Sequence, residues 1–143
     1  MYKMKFFILS ILFYFVIVLS ACQSDRSNQS STGNIEYNDG SIYAPTIIYN
    51  FNKVDKTKTS TIHYSFILEN ISDTIVTMES IEALCSCISI NEYKTNLNPD
   101  DSIIISGEID ISNQTGKINK PIFIRYNSGM AKTMLLRIKG FIK

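Results

Sequence analysis

From Thr46 onward the apolar residues of this chain recur at every second position, the period of a half-buried β-strand. In 61–69, Ile62, Tyr64, Phe66 and Leu68 share one face, while His63, Ser65 and Ile67 share the other. In 102–111 the common face carries Ile103, Ile105, Gly107, Ile109 and Ile111. The same pattern predicts strands over 46–51, 75–84 (with a bend near Glu79 or Ser80), 121–127 and 132–142, and an extended run over 85–90. Turn chemistry separates them: Asn70-Ile71-Ser72-Asp73, Asn98-Pro99-Asp100-Asp101, Gln114-Thr115-Gly116 and Asn127-Ser128-Gly129. No stretch after the first 22 residues has a helical period. The 24 isoleucines, with 8 Tyr and 8 Phe, suit pleated sheet. About seven short strands over about 100 residues predict an all-β, two-sheet sandwich, large enough to bury a core without disulfide staples.

The first residues follow a different logic. Lys3 and Lys5 precede an apolar run over 6–18, broken only by Ser10, and then Leu19-Ser20-Ala21-Cys22. Charged, apolar and small-residue regions in that order read as a secretory signal. The apolar stretch is short for a bilayer span of about 20 residues. Leu19-Ser20-Ala21-Cys22 resembles the lipobox of bacterial lipoproteins. The resemblance implies cleavage before Cys22 and acylation of that residue by diacylglycerol and a further fatty acid such as palmitate. Removing 1–21 takes away Lys3 and Lys5 and leaves 12 basic against 13 acidic side chains, so anchoring is expected to rest on lipid rather than on a polybasic patch. Gln23 after the cysteine resembles the sorting pattern of lipoproteins sent to the outer membrane, which implies an outer-membrane location facing the periplasm. Residues 23–34 hold nothing that can enter a core and are expected to form a disordered tether spanning about 20 Å. Asn38-Asp39-Gly40 is a turn signal within 35–44, which reads equally as a hairpin or an extended arm. The expected organisation is a signal peptide over 1–21, lipidated Cys22 with tether and arm over 22–45, and the sandwich over 46–143.

The order of motifs in the sandwich is similar to that of a known family. Tyr49-Asn50-Phe51-Asn52-Lys53-Val54 resembles an aromatic-x-Phe-Gly-x-Val opening. Tyr64-Ser65-Phe66 with Asn70 resembles Phe-x-Phe-x-x-x-Asn, and Cys85-Ser86-Cys87 a Cys-Gly-Cys element. Leu97-Asn98-Pro99 resembles an Ile-x-Pro-Gly turn, and Leu136-Arg137-Ile138-Lys139-Gly140 a closing Leu-x-Ile-x-Gly. Together these resemble domain-of-unknown-function family 1573, found in bacterial envelope proteins, often lipoproteins of the Bacteroidota. The resemblance implies an immunoglobulin-like domain and no established activity. Asn52 and Asp100 stand where that family has glycine, and Asn or Asp tolerates the left-handed backbone such a position needs.

Cys85 and Cys87 are the sharpest chemical feature. On an ideal strand their Cα atoms would stand nearly 7 Å apart, the outer limit for a bridge, so a disulfide requires a local kink. Three readings remain open: structural thiols or a structural bridge, a redox disulfide, and a two-thiolate site for Cu(I). The only His is His63, and Met78, Met130 and Met134 are the methionines after the signal, which is no zinc signature. His63 is expected on an exposed sheet surface, Asp100 and Asp101 shaping a turn, and Glu108 and Asp110 solvated on an outward face. Six tyrosines, Tyr37, Tyr43, Tyr49, Tyr64, Tyr93 and Tyr126, are candidates for an interface or for the rim of the sandwich. No cofactor or catalytic motif is present, and near-neutral net charge argues against nucleic acid. The sequence predicts a lipid-anchored, non-catalytic binding module with a membrane-lipid contact through Cys22 and an envelope protein partner, recognised by a sheet edge or surface. A thiol-redox or Cu(I)-handling protein using Cys85 and Cys87 is the alternative.

Overall fold

The computed structural model describes residues 35–143. Ten strands follow one another: β1 (Tyr37–Asn38), β2 (Ile42–Ala44), β3 (Ile48–Val54), β4 (Thr61–Asn70), β5 (Val76–Ala83), β6 (Ile88–Ile90), β7 (Asn96–Leu97), β8 (Ser102–Asp110), β9 (Gly116–Asn127) and β10 (Ala131–Ile142). They form two five-stranded sheets, β1-β2-β4-β8-β6 and β3-β10-β9-β5-β7. All pairs are antiparallel except β3 on β10. No helix occurs among the described residues. The inner faces meet in one core, in which Phe66, Leu68, Ile105, Ile109, Ile122, Ile124, Leu136 and Ile138 are essentially fully buried. Alternation drives this arrangement. Each long strand sends every second side chain inward, and burying an aliphatic side chain is worth about 1.5–3 kcal/mol.

Six of the seven expected runs form as β3, β4, β5, β8, β9 and β10, and β6 is the remnant of the seventh; β1, β2 and β7, each of two or three residues, are too short for a period to be read. The 35–44 segment is a hairpin, with Gly40 at φ 80° in its turn. Ile42 and Ala44 are fully buried and β2 pairs with β4, so the sandwich begins at β1 rather than at Thr46. The bend expected in β5 is a bulge between Met78 and Ser80. It shifts the inward set from Val76 and Met78 to Ile81. Strand β9 starts five residues before the expected 121. Pro121 lies just past the stretch that β5 covers, where a missing N–H breaks no ladder bond to β5.

The extended run expected over 85–90 is not what forms. Residues 84–87 make a turn and β6 begins only at Ile88, whose amide donates to the Cys85 carbonyl at 3.1 Å. Asn52 and Asp100 do adopt left-handed backbone, at φ 58° and 64°. The first and last motifs meet in space: a Cβ on Gly140 would overlap the Phe51 ring, and β3 lies against β10 at that point. Asn70, almost fully buried, donates to the carbonyls of Thr74 and Leu97, tying the β4–β5 turn to the turn before β8.

Candidate functional site

The turn after β5 brings the Cα atoms of Cys85 and Cys87 to 5.1 Å, and the two residues are joined by a disulfide. This is the kink that a bridge between residues two apart requires. Both cysteines are half-buried against the core, Ser86 between them is exposed, and the Asp110 amide donates to the Cys87 carbonyl at 2.8 Å. A shallow groove of about 200 Å³ runs beside the turn, lined by Cys87, Ser89, Thr61, Glu108 and Asp110 among others. His63 stands opposite Glu108 in the β4–β8 ladder, with its Nδ1 3.3 Å from a carboxylate oxygen. Asp110 accepts from the hydroxyl and amide of Ser112, which hold its carboxyl below the usual range. The bridged sulfurs offer no free thiolate, and Met78 and Met134 are buried in the core. Met130 lies past Asn127, which pairs with Thr77 at the start of β5, whereas the cysteine turn follows the end of β5. No group of three or more metal-ligating side chains occurs among the described residues. Cys22 lies outside the described residues.

The turn residues Asp100 and Asp101 shape backbone, as expected. The Asp100 amide donates to the Asn70 carbonyl, and Asp101 accepts from the Asn98 amide and pairs with Lys94 at 2.6 Å. The tyrosines divide. Tyr64 is buried and donates to the Ser89 carbonyl at 2.7 Å, and burial pushes its pKa up to about 12. A Cβ on Gly107 would overlap that carbonyl, so glycine is required where β4, β8 and β6 meet. Tyr49 and Phe66 pack edge to face, 6.4 Å between centroids. Tyr43 is half-buried on β2 and reaches toward Glu36, and Tyr93 packs partly against the core.

Tyr37 and Tyr126 join a polar network that sequence reading missed. Tyr126 donates to the Asp39 carboxylate at 2.6 Å, Tyr37 is 3.0 Å from the Tyr126 oxygen, and Lys132 pairs with Asp39 at 2.8 Å. The amides of Ser41 and Ile42 donate to the other carboxylate oxygen. Burial alone would raise the Asp39 pKa; the Ile42 amide, Lys132, Tyr126 and the Ser41 amide outweigh it and hold the carboxyl far below its ordinary value. Burial and the adjacent Asp39 push Tyr126 the other way. The network fastens the β1–β2 turn of one sheet to β9 and β10 of the other. Its only trace in the sequence is Asp39, which reads there as a turn residue.

The outer faces carry a second feature. The strands of the β1-β2-β4-β8-β6 sheet contain Glu69, Glu108 and Asp110 and no Lys or Arg. Strands β3, β9 and β10, adjacent in the other sheet, contain seven Lys or Arg and no Asp or Glu. Registers order the outward side chains in rows: Lys53, Phe141 and Lys117; Asn50, Lys139 and Asn119; Ile48, Arg137 and Pro121; then Leu135 with Phe123, and Thr133 with Arg125. None of these five cations is within 4 Å of a carboxylate among the described residues. Lys53 lies 5.8 Å from the centre of the Phe141 ring. Glu79 and Glu82 of β5 bound this basic face on one side. The opposite face has the exposed pair Ile67 and Ile104 among its acids.

Sheet edges are less open. Three of the four edge strands are two or three residues long. The fourth, β3, is blunted: Thr46 both accepts from the Ile48 amide and donates to its carbonyl, and Asn50 accepts from the Asn52 amide beside the left-handed kink.

Fold and topology define an immunoglobulin-like β-sandwich. The chain belongs to the family described as Protein of unknown function (DUF1573), whose model matches residues 44–142. No curated protein matches the sequence. Among solved structures, a protein of unknown function from Porphyromonas gingivalis W83 is similar at TM-score 0.61 and 13% identity, over 71% of this chain and 46% of that one. The ASH / PapD-like domain 7 of human CEP192 is similar at TM-score 0.59 and 11% identity, over 75% of this chain and 89% of that domain. The Vibrio cholerae VesB protease is similar at TM-score 0.57 and 15% identity, over 66% of this chain and 30% of the protease. The chain thus spans about half of the first of these structures and under a third of the protease. At these identities the likeness is one of fold.

Proposed function

We propose that this protein is a non-catalytic binding module of the bacterial cell envelope, anchored by lipid on Cys22, that recognises its partner through a sheet face rather than a sheet edge. The observation that carries the reading is the sorting of charge between the two outer faces. A face of one sign interleaved with apolar side chains attracts and orients a partner of opposite charge. The blunted β3 edge argues against strand addition as the route. Anchoring is supported by Leu19-Ser20-Ala21-Cys22 and by an outer-membrane preference from Gln23. Crosslinking in native envelope, followed by recovery of the chain, tests the binding step. Arg125→Glu with Arg137→Glu is expected to lose the crosslinked product while Glu69→Lys keeps it; the reverse result ends the reading. Cys22→Ser is expected to accumulate as precursor without fatty-acid label, and equal labelling of the variant ends the anchor.

A thiol-based role is the second reading, favoured by a bridge in a turn whose middle residue, Ser86, is exposed. It requires reduction of the bridge before any metal binds. A Cu(I) titration of the reduced chain decides it: tight binding of one ion, lost in Cys85→Ser with Cys87→Ser, supports metal handling.

A further inference from the structure

We infer that the basic face of β3, β10 and β9 rests on an anionic phospholipid bilayer and sets the orientation of the domain, with the acidic β4-β8-β6 face turned to the aqueous side. This deepens the sheet-face reading above by naming the partner. Lys53, Lys117, Arg125, Arg137 and Lys139 project from one sheet face with no carboxylate within 4 Å among the described residues. Phe123, Leu135 and Phe141 lie among them, the last 45% exposed. Cations around apolar and aromatic side chains suit a headgroup region, where phosphate meets the upper acyl chain.

The position of the chain's entry agrees with this. Ile35, the first described residue, accepts through its carbonyl from the Ile47 amide at 2.8 Å, just before β3, the outer strand of the basic sheet. Twelve residues, 23–34, separate it from Cys22. Fully extended they reach no more than about 40 Å. A lipid on Cys22 would therefore hold this edge within a domain's breadth of the headgroups and raise their effective concentration. A second copy is the competing occupant, since one molecule's acidic face complements another's basic face. Three acidic side chains then face five cations, Glu108 has the His63 ring 3.3 Å away, and face-to-back contacts do not close. The bilayer is the better match.

The test uses the full chain, processed in its host and reconstituted into vesicles of phosphatidylcholine or of equal parts phosphatidylcholine and phosphatidylglycerol. Acylation of Lys117 and Lys139 by a water-soluble amine reagent is followed, with Lys58 and Lys94 as references. On anionic vesicles Lys117 and Lys139 are expected to react at least about fivefold more slowly than on neutral ones. Salt at 1 M, where the Debye length is about 3 Å, restores the rate. Arg125→Glu with Arg137→Glu, checked for an unchanged unfolding temperature, is expected to remove the difference. Should that variant not fold, the salt series on the wild type decides alone. Equal rates on both lipids overturn the inference, and so does protection on neutral vesicles that rises with protein density, the mark of a second copy. Anchoring is read separately: flotation with neutral vesicles reports the lipid on Cys22. A chain that floats only with anionic vesicles retains the basic face and loses the anchor.

Discussion

Asp39 holds four hydrogen-bonding or charged groups from three strands and a turn with one carboxylate that keeps about a sixth of its surface in solvent. Its lowered pKa makes a statement about acid stability. A carboxyl depressed in the folded state contributes stability that is complete above its unfolded value near 3.9 and is lost as pH falls through the folded value. Stability is therefore expected to decline below about pH 4 with a steepness that Asp39→Asn removes. At neutral pH the same substitution is expected to cost about 2–4 kcal/mol, since Lys132 is left partly buried without its partner. Urea unfolding of both proteins across pH 2–7 checks this; parallel curves would mean that the Asp39 carboxyl adds nothing to the pH dependence, and superimposed curves that the network contributes nothing. Asp100 offers the opposite case. Its side chain is exposed and its φ is 64°, so Asp100→Gly is expected to be neutral or stabilising by up to about 1 kcal/mol, and Asp100→Val destabilising by about 1–2 kcal/mol. These two positions mark the range of what residues reveal. The left-handed sites were legible because the family pattern places glycine there. The Asp39 network was not, because its members, Tyr37 to Lys132, lie up to 95 residues apart and meet only across the sandwich.

At the scale of elements, alternation of long strands was legible almost to the residue in β4 and β8. It failed where a strand is two or three residues long, or where Lys117, Lys120 and Pro121 hide the first five residues of β9. The cysteine turn was misread for a related reason: extended and turned backbone differ little in composition over four residues. The bridge itself closes a loop of only three residues, so its effect on the unfolded chain is small, no more than about 2 kcal/mol. Reduction of the folded protein is expected to lower stability by less than that and to leave sheet-face binding intact. Thermal unfolding with and without reductant checks the point, and a loss beyond about 4 kcal/mol would make the bridge a staple of the fold. The junction of β4, β8 and β6 is less forgiving. Gly107→Ala drives a methyl into the Ser89 carbonyl and is expected to cost about 1–3 kcal/mol, whereas Tyr64→Phe loses only one hydrogen bond, about 1 kcal/mol. Equal costs for the two would mean that the close approach relaxes freely.

For the whole molecule, the decisive property is one that net charge conceals. A chain cut before Cys22, at −1, looks featureless, and the expectation that it carries no polybasic patch rests on that sum; the cations gathered on β3, β10 and β9 correct it. Topology separates what the sum combines: β3, which lies far from β9 and β10 in sequence, joins them in one sheet, while β4 and β8 take the acids to the other. The sheet face proposed for recognition is thus a tertiary property, whereas the blunting of the β3 edge comes from contacts two residues apart. The most direct measurement places a photo-crosslinking amino acid singly at Thr133 on the basic face and Ser65 on the acidic face, and irradiates living cells of the native host. A crosslinked species at Thr133, absent at Ser65, is the predicted result. Crosslinking confined to Ser65 would contradict the account.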